Sequence, residues 1–150
     1  MWEIKKDKEL LENNFKPVPA GRHRIRIESV EPTRSKEKNL PMFKMTFEVS
    51  KESSKLFSYV VFDDTNAEAK DRTIRTLARI ADSFGIEAGN VNPELTPLHW
   101  IGKVGGAMVK QELYDGKPSA KIAYFLLKEE VAQLPSWDGQ TTNIDDSLPF

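Results

Sequence analysis

Three arginines near the start of the chain are each separated by one residue. In an extended strand, successive side chains point to opposite faces, so Arg22, Arg24 and Arg26 would share one face. A guanidinium group carries five N–H donors in a planar fork and binds phosphate or carboxylate oxygens through paired hydrogen bonds. The row therefore predicts a surface that binds a polyanion.

Further cations and several aromatic residues belong to the same predicted surface. A single nucleic-acid strand offers phosphates and flat bases, so a sequence-independent binder combines cations with exposed rings. A ring on a strand more often belongs to the core, so the cations carry more weight than any single ring. The expected contact residues are Arg22, Arg24, Arg26, Arg34, Lys36, Lys38, Lys44, Phe57, Tyr59, Trp100, Lys103, Lys110, Tyr114, Lys117 and Lys121, with Tyr124 ranked after them.

Five predicted strands and one predicted helix would position these residues. Alternation and turn residues predict strands at 21–28, 41–49, 56–62, 103–112 and 120–127. Thr65 to Glu68 has the pattern of a capping box, and helical spacing of apolar residues continues to Phe84, before Gly85. This order predicts a mainly β protein, a five-stranded OB-fold barrel with one α-helix between strands 3 and 4.

Glycines in two segments indicate where the chain turns or bends. Asp115-Gly116 predicts a two-residue hairpin turn between strands 4 and 5. Gly102, Gly105 and Gly106 are interpreted as bends or bulges. A phosphate-binding loop is not indicated, because no Gly-Lys-Ser/Thr and no helix follow them.

Length and composition favour one domain with short appendages. The chain has 150 residues, of which 39% are hydrophobic, and the expected division is an N-terminal extension at 1–18, a binding domain at 19–128 and a flexible acidic tail at 129–150. With no cysteine and two histidines, no disulfide, metal or other cofactor is expected. No apolar run is long enough to span a bilayer, and the charged start does not resemble a secretory signal, so a cytoplasmic location is expected.

Charge is distributed unevenly along the chain despite a net charge of −1. Residues 16–55 contain ten Lys/Arg and five Asp/Glu, a net +5, whereas residues 128–150 contain one and five, a net −4. A basic body with an acidic end indicates a polyanion-binding domain whose tail competes with the ligand.

The last residues resemble the acidic C-terminal tip of bacterial single-stranded DNA-binding proteins, in which acidic residues precede an apolar residue, Pro and a final Phe. The resemblance implies a tip that recruits host replication or repair proteins, with Ser147 departing from the usual acidic run. A final Phe brings its ring and the chain's α-carboxylate together, which suits a pocket containing an arginine. The corresponding residues are Asp145, Asp146, Leu148, Pro149 and Phe150.

Two short motifs in the body are Pro19-Ala20-Gly21 at the entry to the first strand and the later pair Gly102-Lys103. With these motifs the body resembles a family of small bacteriophage proteins catalogued as a domain of unknown function, whose members include single-stranded DNA-binding proteins. The resemblance implies a non-enzymatic protein that coats single-stranded DNA during phage replication, recombination or repair in the host cytoplasm, with homo-oligomers possible.

Two other functions are consistent with the residues. The body could bind protein, making the chain an adaptor of a replication or recombination complex with little DNA binding. A metal-dependent nuclease would require a carboxylate cluster such as Asp63, Asp64 and Glu112. Their spacing does not match a recognisable metal site, and Asp63 and Asp64 are explained by the favourable position of acids before a helix N-terminus.

Overall fold

The computed structural model describes residues 2–4 and 17–138. Five strands form one antiparallel sheet in the order β3-β2-β1-β4-β5. One long helix lies between β3 and β4 in the sequence, as predicted. The elements are β1 (Gly21–Arg34), β2 (Pro41–Val49), β3 (Leu56–Val61), α1 (Ala67–Phe84), a 3-10 turn (Leu98–Trp100), β4 (Val104–Tyr114), β5 (Lys117–Phe125) and α2 (Lys128–Val131).

The sheet is not closed into a barrel, which corrects that part of the prediction. β3 and β5 are its two edges, and within residues 17–138 no ladder of hydrogen bonds joins them. α1 packs against β3, β4 and β5, and its residues Thr76 and Arg79 line a crevice together with Ser58 of β3 and Phe125 of β5. The two edge strands therefore approach each other beside the helix without pairing.

β1 links the two halves of the sheet because it has a different neighbour on each side. Its first part, Gly21 to Arg26, pairs with β4, and the stretch from Ile25 to Arg34 pairs with β2. A bulge between Ile27 and Ser29 lets the strand bend between these two pairings. The strand is longer than predicted and includes Pro32, which is tolerated because β4 does not pair with that part of β1.

The core lies between the inner face of the curled sheet and α1. Phe84 from the end of α1 stacks on Phe47 at a ring distance of 5.8 Å and meets Phe125 edge-on at 5.9 Å. The buried strand residues alternate as expected, and they include Ile25, Ile27, Val30, Phe43, Met45, Phe47, Val49, Leu56, Val60, Ala107 and Val109. The apolar face of β2, formed by Phe43, Met45, Phe47 and Val49, therefore points towards the core.

Local signals predicted the chain reversals well. Gly85 ends α1 in the left-handed conformation, with φ 67°, as expected for a helix C-cap. Asp115 and Gly116 both have positive φ, 54° and 75°, which confirms the two-residue hairpin. The N-cap is Asn66, whose side chain accepts from the Ala69 amide at 2.8 Å, one residue later than predicted.

Residues 128–138, called the C-terminal segment below, pack on the outer face of the sheet. We expected a flexible tail from residue 129, but α2 forms here and Val131 is buried. The first ten residues of the predicted tail therefore belong to the folded body. Among the residues described, no helix is both long and apolar enough to cross a bilayer.

Candidate nucleic-acid interface

The arginine row lies on one face of β1, as the alternation predicts, but the C-terminal segment covers it. Arg24 donates from Nε to the carbonyl of Pro135 at 2.6 Å. Its Nη2 donates to the carbonyls of Val131 and Leu134 at 3.0 and 3.1 Å. These carbonyls lie at and beyond the end of α2, and the Val131 carbonyl also accepts from the Leu134 amide at 3.0 Å. Arg24 therefore caps the C-terminal segment.

The other two arginines of the row also have partners on the protein. Arg22 pairs with Glu130 of α2 at 3.2 Å. Arg26 binds both carboxylate oxygens of Glu48, the nearer at 2.9 Å, and its guanidinium lies 4.9 Å from the centre of the Trp137 ring. The row is thus not an open groove for phosphates, which corrects the interpretation that placed it at the centre of the ligand surface.

Gly106 explains why the segment can lie so close to the sheet. It pairs with Arg24 across β1 and β4, and a Cβ at this position would lie 3.0 Å from Leu126, Val131 and Leu134. At its far end the segment is fixed by the Lys51 amide, which donates to the Asp138 carbonyl at 2.7 Å. The sequence analysis did not predict that residues 128–138 pack on the sheet. Two features could have indicated it: Gly106 on the strand that pairs with Arg24, and the apolar residues Val131 and Leu134 within the predicted acidic tail.

The exposed aromatic surface lies instead on the outer side of β2 and β3. Cross-strand pairing places Tyr59 beside Lys44 and Phe57 beside Thr46, while Leu56 and Val60 point into the core. Tyr59 is 58% exposed and Phe57 is 51% exposed. The Lys44 ammonium lies 5.8 Å from the centre of the Phe57 ring. We call this surface, which also includes Ser29 and Glu31 of β1, the β2–β3 face.

The loop between β1 and β2 carries three of the predicted cations at the end of that hairpin. Arg34 donates to the Asn39 carbonyl at 3.1 Å and pairs with Glu94 at 3.0 Å. Lys36 is exposed, and Lys38 lies 3.9 Å from Asp63. The pKa of Asp63 is lowered, first by the hydroxyl and amide of Thr65 and then by Lys38 and Arg72.

The β4–β5 hairpin carries the remaining predicted cations. Lys110 and Lys121 both pair with Glu112, at 2.9 and 3.2 Å, and these two ammonium groups lower the pKa of that carboxyl. Tyr114 and Lys117 face each other beside the turn and are exposed. Two of the three predicted lysines on this hairpin thus share one carboxylate, and Lys117 lies beside the exposed Tyr114 ring.

Trp100 belongs to the core, which corrects its prediction as a stacking residue. It is 3% exposed, and its ring meets Phe43 edge-on at 5.9 Å. A buried ring has no face to offer a base. Lys103, beside it, is half-buried, and its carbonyl accepts a hydrogen bond from the Ile27 amide.

Apart from the half-buried Lys103, the predicted cations therefore occupy three places, and they do not form one basic face. One group lies under the C-terminal segment, one surrounds the β1–β2 hairpin with Lys44, and one is on the β4–β5 hairpin. Of these, only the β1–β2–β3 region joins a cation to two neighbouring exposed rings within residues 17–138. It is the candidate interface.

The carboxylates considered for a nuclease do not assemble. Within the described part of the chain, no group of three or more His, Asp or Glu residues could hold a metal ion. Asp63 accepts a hydrogen bond from Thr65. Glu112 lies far along the chain on the β4–β5 hairpin, where it pairs with Lys110 and Lys121. The predicted partner-binding tip, Asp145 to Phe150, lies outside the described residues.

Comparison with known proteins adds no family to this description. No protein-family model matches the chain, and no curated protein matches it significantly. The site must therefore be interpreted from its own geometry.

Proposed function

We propose that this protein binds single-stranded DNA without sequence preference through the β2–β3 face. The observation that carries the proposal is the exposure of Phe57 and Tyr59 on one side of β3, next to Lys44 on β2. Two residues apart on a strand, their side chains are spaced by about 6.5 Å. Successive unpaired bases can stack on rings arranged in this way, while a cation beside them binds the phosphate between.

The arrangement favours unpaired over double-stranded nucleic acid. Phe57 has no polar group, so it can recognise a base only through its flat face, which pairing and stacking hide in a duplex. Every base has such a face, so binding through stacking tolerates any sequence. Ser29 of β1 is half-buried on the same side of the sheet and supplies a hydroxyl group for an additional hydrogen bond.

The finer fold proposal is an OB-type sheet that stays open between β3 and β5. Three observations support it: the order of strands around one helix, the double pairing of β1, and the bulge in β1. The OB-fold is a partly open five-stranded barrel whose ligands bind across strands 2 and 3. The β2–β3 face occupies that position.

The proposed biological role follows the resemblances of the sequence. The protein would coat single strands in the bacterial cytoplasm during phage replication, recombination or repair, and it would make or break no covalent bond. Its tip, Asp145 to Phe150, would recruit a replication or repair protein.

Adding one residue after Phe150 should leave DNA affinity unchanged and weaken partner capture, because the Phe150 ring and the chain's terminal carboxylate are then on different residues. Equal capture by the extended and native chains would rule out a docking tip.

The function is tested by measuring the affinity of a fluorescently labelled oligothymidine for Phe57→Ala and Tyr59→Ala. Loss of one stacked base should weaken binding by about five- to a hundredfold, corresponding to about 1–3 kcal/mol. Leu98→Ala is the control, because Leu98 is a 77% exposed apolar residue on the 3-10 turn. Unchanged affinity in both aromatic variants would contradict the proposal. No oligonucleotide binding by the native protein would favour the adaptor function instead.

A further inference from the structure

α1 packs against both edge strands of the sheet, and one stripe of the helix faces two openings there. The first, about 180 Å³, lies between α1 and β3 and is lined by Tyr59, Arg72 and Thr76 among others. The second, about 230 Å³, reaches β5 and is lined by Thr76, Arg79 and Tyr124 among others. Each exceeds the roughly 30 Å³ that one water molecule occupies. Thr76 lines both openings, so they are neighbours along α1, and we call the two together the edge crevice.

The residues of the edge crevice resemble those of the β2–β3 face in chemistry. Arg79 lies with its guanidinium 5.4 Å from the centre of the Tyr124 ring and donates to the Phe125 carbonyl at 2.6 Å. This bond fixes Arg79 in place, and Tyr124 remains 42% exposed. Arg72 is exposed on the same stripe of α1, about two turns before Arg79. Cations and aromatic faces again occur side by side, which suits a single strand.

Tyr59 joins the two surfaces. It is one of the two exposed rings of the β2–β3 face, and it also lines the first opening of the edge crevice. From Arg72 to Arg79 the helix rises about 10 Å, so the crevice adds a substantial length to the surface. Asp63 lines the first opening beyond Tyr59, and its lowered pKa keeps it ionised. Since a carboxylate repels phosphate, the path should lead from Tyr59 towards Arg79.

We propose that a single strand bound on the β2–β3 face continues over the edge of β3 into the edge crevice. Arg72 and Arg79 bind its phosphates there, and Tyr124, backed by Arg79, stacks with a base. This inference rests on the proposed function and extends it, because it assigns three further binding residues and a longer site. A closed barrel would have no such crevice between these two strands.

The test compares oligothymidines of about 4 and about 12 nucleotides, near the two ends of the range of site sizes known for such folds. Arg72→Ala should weaken binding of the longer one by about tenfold and reduce its salt slope by about 0.7, with the shorter one changed less than about twofold. Arg75→Ala is the matched control, because it removes the same charge from α1. Arg75 pairs with Asp71 at 2.7 Å and lines neither opening. Tyr124→Leu should also affect only the longer oligonucleotide.

The result that would overturn the inference is equal weakening of the longer oligonucleotide by Arg72→Ala and Arg75→Ala, or no weakening by either. If Phe57→Ala still weakens the shorter oligonucleotide, the proposed function stands and only the extended path is wrong. If the native protein binds neither oligonucleotide, the proposed function and the path both fail. Loss of binding to an acidic peptide in Arg72→Ala, without loss of oligonucleotide binding, would assign the crevice to a protein partner and would also overturn the inference.

Discussion

Replacing Arg24 by Ala should destabilise the protein while leaving its affinity for single-stranded DNA nearly unchanged. The Arg24 guanidinium donates three hydrogen bonds to the carbonyls of Val131, Leu134 and Pro135, at 3.0, 3.1 and 2.6 Å. Hydrogen bonds from a charged donor contribute about 1.5–3 kcal/mol each, but bonds from one side chain are not additive. Exposed carbonyls can also bind water after the change. We therefore expect a loss of about 2–4 kcal/mol.

The measurement is the free energy of unfolding from denaturant titration, together with the melting temperature. For a chain of this size, 2–4 kcal/mol corresponds to a fall of about 5–15 °C. Arg22→Ala is the matched control, since Arg22 stands in the same row but makes one ion pair with Glu130, in which its own side chain is 42% exposed. Pairs of this kind contribute about 0–1 kcal/mol.

Two outcomes would refute this reasoning. If Arg24→Ala is no less stable than Arg22→Ala, the C-terminal segment does not depend on the Arg24 hydrogen bonds. If Arg24→Ala keeps its stability and loses oligothymidine affinity, the arginine row contacts DNA directly, as the sequence alone predicts. Hydrogen exchange at the Leu134 amide, which donates to the Val131 carbonyl at 3.0 Å, would show which part of the fold responds.

Two further predictions concern the core and the response to pH. Gly105→Ala should lower the free energy of unfolding by about 1–3 kcal/mol, because the added Cβ would lie 2.8 Å from the Phe84 ring. Gly89→Ala is the control, because a Cβ there would have nothing within 4 Å, and it should change the free energy of unfolding by less than about 0.5 kcal/mol. Because the bonds from Thr65 depress the pKa of Asp63, the ionised carboxylate stabilises the fold above its ordinary pKa of 3.8, and this contribution is lost as the pH falls through the depressed value. In Thr65→Ala, an NMR titration should show the Asp63 pKa rising towards 3.8, and an unchanged pKa would contradict this cause.

Features set by neighbouring residues were predictable from the sequence. The Asp115-Gly116 turn and the Gly85 cap depend on positive φ, which glycine adopts without strain. The local order of residues therefore locates both. Alternation also placed Phe57 and Tyr59 on the same face of β3. It could not say which face is exposed, because both faces of that strand are apolar. The pairing of Leu56 with Phe47 decides the question by turning the other face towards the core.

Features set by distant residues were not predictable in this way. Arg24 meets a carbonyl 111 positions later in the chain, and nothing near Arg24 indicates that its partner is backbone instead of phosphate. Trp100 is buried because its ring, alone among the three residues of the 3-10 turn, packs into the core against Phe43. The cations Arg72 and Arg79 looked like the solvent side of an amphipathic helix. They line a crevice because α1 packs against β3 and β5, which no ladder of hydrogen bonds joins in the described part of the chain.

The most direct test of the central claim is a salt series of oligothymidine titrations with a duplex of equal length as competitor. Fluorescence anisotropy of the labelled oligonucleotide is preferable to tryptophan emission, because Trp100 is buried and the Trp137 ring already lies against the Arg26 guanidinium. We predict that the logarithm of the association constant falls linearly with log salt, by about 0.7 for each phosphate neutralised, and that the duplex competes poorly. Salt-independent binding, or equal competition by the duplex, would contradict recognition of unpaired bases by Phe57 and Tyr59.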